Sequence, residues 1–279
     1  MKKIILILAL LVSPVFACDS LNCSKPYDMT SKTSQFFSKV TGQNFLAEQI
    51  AGKLIKKAVK KNIESGNIKA SLKSFSVRDL KAGRFKTIEI SGKDVNVQGI
   101  YITYFKAKTL CDFNYIVEDK NKDLIIKEDI PMAVSAVITE DDLNKTMNSS
   151  DYKRLVGDIN NLIGSFNIFQ INSTSVKLKN NKMYYIMKYS LPFARKSKQA
   201  VLSADICVEN GKLKMKNTEL INCNIDVNAV SKILNYINPL DFSVKILENK
   251  DAKFNIQNVT IADGKINMDG KITILKDKE

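Results

Sequence analysis

Apolar residues first fall into a helical repeat in NFLAEQIAGKLIKKAVKKNIESGN, at Leu46, Ile50, Leu54, Ile55, Ala58 and Val59. This spacing predicts a helix over 46–63, with Gly66-Asn67 as its C-terminal stop. From Ile68 to Val137 the period drops to two. The runs KASLKSFSV, RFKTIEISG, KDVNVQGIYITYFKAKT, CDFNYIVED and DLIIKEDIPMAVSAVI are rich in β-branched and aromatic residues and read as strands. Helical spacing returns in ITEDDLNKTM, where Thr139 and Asp142 form a near capping box, and in DYKRLVGDINNLIG, with Leu155, Ile159, Leu162 and Ile163 on one side. Strands resume at FNIFQINSTSVKLKNNKMYYIMKYSLPF. A hairpin follows about Asn210-Gly211, then a short helix stopped before Pro239, and a closing hairpin about Asp263-Gly264. Helix, sheet, helices, sheet, short helix, sheet is an α+β order with antiparallel strands.

The N-terminus changes what belongs to that fold. MKKIILILALLVSPVFAC has Lys2 and Lys3 ahead of an apolar run from Ile4 to Val12, followed by small Ala17. It reads as a signal peptide over 1–17 and is too short for a bilayer span of about 20 residues. Export to a periplasm or cell envelope is therefore expected. VFAC is close to a bacterial lipobox, which would make Cys18 a lipidation site and anchor. Val15 and Ala17 also suit ordinary cleavage, so both readings stand. Residues 18–43 read as a polar tether, and 44–279 as a single domain. With Cys18 lipidated, Cys23, Cys111, Cys207 and Cys223 remain, and three pairings are open in an oxidising compartment.

Charge and chemistry narrow the function. The chain has 43 Lys and Arg against 29 Asp and Glu, a net +14 that falls to +12 without Lys2 and Lys3. It has no histidine, which removes Ser-His-Asp and Cys-His catalysis and His-based metal sites. No nucleotide-binding or nucleophile-elbow motif is present. An enzyme, a cofactor and a metal are not expected. Asp119, Asn121 and Asp123 start a calcium-like loop, but Leu124 and Ile130 stand where it needs Gly and Glu. The lysines are spread through the chain and export disfavours nucleic acid. An anionic membrane surface is the expected partner, met by Lys53, Lys56, Lys57, Lys60 and Lys61, which share an arc of about 140° on the predicted helix. The alternative is a surface helix that docks Ile55 and Val59 and solvates its lysines.

The segments DLKAGRFKTIEISGKDVNVQGIYITYFKAK, AVITEDDLNKTM, ENGKLKMKN, ILNYINPLDFSVKI and FNIQNVTIADGKINMDGKITI resemble, in this order, the LmeA-like phospholipid-binding family. The resemblance covers 68–275. It implies a bacterial branch of tubular lipid-binding proteins: a long, strongly curved antiparallel sheet wrapped around helix as an elongated half-barrel with an apolar groove, and non-enzymatic phospholipid binding. The lysine content and Cys18 depart from the pattern. Groove candidates are Leu54, Ile55 and Val59 on the first helix, Ile88, Ile90, Val95, Val97, Ile100 and Ile102 on the strands, and Leu143 and Ile233 on later helices. The competing expectation is an envelope adaptor with a filled core that binds a protein partner.

Overall fold

A computed structural model describes residues 21, 23–61, 63–118, 124–164, 169–192, 196–221, 238–240 and 252–277. Two helices come first, α1 (Lys32–Val40) and α2 (Gln43–Lys60). Next are β1 (Ser65–Lys73), the short helix α3 (Val77–Lys81), β2 (Arg84–Phe85), β3 (Thr87–Val97), β4 (Ile100–Thr109), β5 (Asn114–Glu118), β6 (Leu124–Ile126) and β7 (Ile130–Thr139). Helices α4 (Glu140–Met147) and α5 (Ser150–Gly164) lead to β8 (Gln170–Lys179), β9 (Lys182–Ser190), β10 (Lys198–Glu209) and β11 (Lys212–Ile221). The chain closes with β12 (Ala252–Ala262) and β13 (Lys265–Ile274). The architecture is α+β, its described strand pairs are all antiparallel, and no closed barrel forms among the described residues.

Local chemistry sets several boundaries. Thr139 caps α4 in a full capping box with Asp142. The turns Asn210-Gly211 and Asp263-Gly264 have positive φ at both residues, as a tight hairpin turn requires. Two more turns of this kind, Gln98-Gly99 and Asn180-Asn181, break stretches that read as continuous strand. Helix α2 ends at Lys60, short of 63, and Gly66 sits inside β1 at a register shift. The run KASLKSFSV is strand only to Lys73, because Ser76 caps α3 through a hydrogen bond from the Asp79 amide.

Six strands form one sheet in the order β1-β3-β4-β7-β13-β12, four form a second as β11-β10-β9-β8, and β2-β5-β6 make a small third. The C-terminal hairpin enters the first sheet beside β7, with Lys265 opposite Thr139 and Ile274 opposite Ile130. Helix α4 joins the two large sheets. Beyond the end of β7 its side chains take over β4, where the Thr103 amide donates to Asp142 at 3.0 Å and the Tyr101 amide to Thr146 at 3.0 Å. On its other side Asn144 bonds both the amide and the carbonyl of Val176, Glu140 accepts from the Leu178 amide, and Asn160 of α5 does for Ile171 what Asn144 does for Val176. Helix side chains thus stand where a neighbouring strand would, and satisfy the edge of β8.

Within the stretch read as a polar tether, 18–43, the structure places a fixed arm and a helix. Cys23 is disulfide-bonded to Cys111, Thr30 donates to buried Asp79, Asp28 pairs with Arg84, and α1 follows. Of the remaining cysteines, Cys207 is a free thiol, while Cys18 and Cys223 lie outside the described residues. So do the calcium-like residues 119–123, the helix expected before Pro239 with Ile233, and the side chains of Leu162 and Ile163.

Candidate functional site

Helices α1 and α2 form a hairpin turned at Thr41-Gly42, where Gly42 has φ +70°. The inward face of α2 is mostly small or polar in its first half. Asn44 donates to the Phe75 carbonyl at 3.1 Å, and Glu48 accepts from the amide and hydroxyl of Ser74 at 2.7 and 3.0 Å. At Gly52 a Cβ would stand 3.1 Å from the Ala70 carbonyl oxygen, so the missing side chain lets the helix lie close on β1. Ile55 and Val59 then reach the core.

That docking leaves the other face apolar and outward. Phe36, Phe37, Val40, Phe45, Leu46, Ile50 and Leu54 are each between 60% and 68% exposed. The other exposed large apolar residues among those described, Leu21, Tyr27 and Leu124, reach 44% at most. Solvent-facing apolar surface is therefore concentrated on this one hairpin, and contiguous apolar patches of this sort mark interaction surfaces. Lys53, Lys57, Lys60 and Lys61 are exposed on the same helix and its C-cap, and Lys56 is half-buried.

The groove candidates separate. Val59, Ile90, Val95, Val97, Ile100, Ile102 and Leu143 are buried in one cluster that extends over both large sheets, and Ile55 and Ile88 pack against it half-buried. Leu54 stands outside, on the exposed face. Four open clefts lined by described residues, about 220 to 490 Å³, contain none of the groove candidates. The cluster includes five methionines, Met132 on β7, Met147 on α4, Met183 and Met187 on β9 and Met268 on β13, all at most 4% exposed. Sequence reading passed over them; the signal was five Met within period-two or helical frames.

Two polar networks interrupt the apolar interior. Tyr152 of α5 and Tyr185 of β9 share a hydroxyl hydrogen bond of 2.7 Å, and burial raises the pKa of both. Asp79, fully buried, accepts from the Thr30 amide and hydroxyl and from the Ser76 hydroxyl. Burial pushes its pKa up, but the bonds from Ser76 and Thr30 and the nearby Arg84 charge outweigh it, holding the carboxyl below its ordinary value. Among the described residues no group of three His, Cys, Asp or Glu is placed to hold a metal ion. No helix among them is long and apolar enough to cross a membrane.

No family model, no curated protein and no solved structure matches the chain. The likeness to LmeA-like proteins therefore rests on the residue patterns alone.

Proposed function

We propose that this is an exported, non-enzymatic lipid-binding protein of the cell envelope that holds phospholipid or a similar amphiphile against the apolar inner surface of a curved, half-barrel-like sheet. The observation that supports this is the methionine content of the buried cluster that extends over the two large sheets. Methionine is unbranched, turns about three bonds and refills irregular space at low cost. Five such side chains in one buried cluster, on β7, β9, β13 and α4, would give a wall able to part for an acyl chain and close behind it. Burial of the chain supplies about 0.8 kcal/mol per methylene, so binding needs no reactive group. Lipid transport or homeostasis in the envelope is the corresponding role. The test is organic extraction of the purified mature protein followed by mass spectrometry, together with titration of a fluorescent phospholipid. Co-purified or stoichiometrically bound lipid supports the reading, and neither being found ends it.

A second reading, an envelope adaptor with a filled core that binds a protein partner, is favoured by one observation. The groove candidates other than Leu54 and Ile233 pack into or against the core. Absence of lipid with a native-like fold is its expected result.

A further inference from the structure

We propose that the α1–α2 hairpin is a docking surface for an anionic phospholipid bilayer, lying in the plane of the interface with its apolar face inserted and its lysines at the lipid phosphates. The inference goes beyond lipid held in the interior and uses a different surface.

The occupant follows from chemistry on the hairpin itself. Between residues 32 and 61 there are seven lysines and one acidic residue, Glu48. Glu48 is already engaged by the Ser74 amide and hydroxyl and lies 3.6 Å from the Lys73 ammonium, so it offsets none of the outward charge. At about 100° per residue, Leu46, Ile50 and Leu54 cover an arc of roughly 80°, with Lys57 inside it and Lys53 at its rim. One arc therefore passes from apolar in the first turns of α2 to cationic in the last. A second copy of this chain would meet that arc with the same positive charge. A neutral apolar partner would leave the lysines desolvated and unpaired. A bilayer bearing anionic headgroups accepts both parts, chains below and phosphates beside them, as interfacial amphipathic helices do. No described helix is long and apolar enough to cross a bilayer.

The experiment uses the mature full chain and co-sedimentation with two vesicle types, phosphatidylcholine alone and phosphatidylcholine mixed with phosphatidylglycerol. The mixed vesicles are expected to bind, and to release protein as salt rises through the range where the Debye length falls below about 8 Å. The pair I50D and L54D, at positions 61% and 62% exposed, should abolish sedimentation with unchanged circular dichroism. The pair K57E and K60E should weaken binding to mixed vesicles by at least about five-fold per lysine, since each contributes on the order of 1 kcal/mol and 1.36 kcal/mol is ten-fold. It should leave binding to phosphatidylcholine alone unchanged. Wild-type protein that ignores the mixed vesicles overturns the inference, as it would if a protein partner covers the hairpin. Undiminished binding by the I50D and L54D protein overturns it too. Lipid extraction on the same samples keeps the two proposals apart. Co-purified lipid without vesicle binding sinks only the docking surface, and vesicle binding without extractable lipid sinks only the interior site.

Discussion

Replacing Asp79 should unfasten the N-terminal arm from the body. Its carboxylate is fully buried and accepts from the Thr30 amide at 2.9 Å, the Thr30 hydroxyl at 2.7 Å and the Ser76 hydroxyl at 2.6 Å. The Arg84 Nε lies 4.0 Å from it, an ion-pair contact, and has no hydrogen-bond partner. A hydrogen bond to a charged group contributes about 1.5–3 kcal/mol, but three bonds sharing one carboxylate do not add. Removing one partner of a buried ion pair costs about 3–5 kcal/mol, and we take that as the magnitude for Asp79→Ala. At roughly 2–4 °C per kcal/mol for a chain of this size, melting should fall by about 6–20 °C. Asp79→Asn keeps one acceptor and should lie between. The pH dependence carries the sharper test. A carboxylate held below its ordinary value of 3.8 stabilises the fold above that pH, and the contribution is lost as pH falls through the folded-state pKa. Urea melts at neutral pH and at pH values below 3.8 should therefore show the gap between wild type and Asp79→Asn closing as acid is added. An alanine variant within 1 kcal/mol of wild type, or a gap that is flat with pH, would refute the reasoning.

Other outcomes follow from the same packing. Alanine at both Cys23 and Cys111 opens a loop with a sequence separation of 88, for which chain entropy gives about 4.6 kcal/mol, and the unfolding free energy from urea melts should drop by about 2–5 kcal/mol in matched oxidising buffer. Gly92→Ala places a Cβ 2.3 Å from the Phe105 ring, so it should cost about 1–3 kcal/mol and be partly rescued by Phe105→Leu. Asn144→Ala strips the amide and carbonyl of Val176 of their partner and should cost about 2–3 kcal/mol, with deuterium exchange speeding up at β8 before β9. The raised pKa of Tyr152 and Tyr185 means their stabilisation is complete below pH 10 and lost as pH climbs above it, so ultraviolet titration should show two tyrosines ionising only as the fold melts.

What could be read from the sequence was what residues three or four apart decide. Thr139 and Asp142 announce their cap, and Asn210-Gly211 and Asp263-Gly264 their turns, because donor, acceptor and positive φ are all local. The pairing of β13 with β7 joins segments some 130 residues apart, and nothing in either strand names the other. The two faces of α2 are beyond what periodicity resolves. Periodicity groups Leu46, Ile50 and Leu54 with Ile55 and Val59 as one apolar set. In the fold, Asn44, Glu48 and Gly52 take the inward positions, because backbone groups at Phe75, Ser74 and Ala70 require a donor, an acceptor and an empty space. Leu54 therefore moved from wall to surface, while Ile90 and Ile102, in period-two frames, stayed inside.

The disulfide also decides how the molecule carries a pull. A force applied ahead of Cys23 crosses the sulfur bridge to Cys111, just past the end of β4, a strand hydrogen-bonded on one side to β3 and on the other to β7. The arm, both helices of the hairpin and the strand β3 lie inside the bridged loop, outside the line of tension. Reduction reroutes the same pull through α1 and α2, and releases about 300 Å of chain before Cys111 is reached. Single-molecule stretching from the N-terminus should show that length only with reductant present.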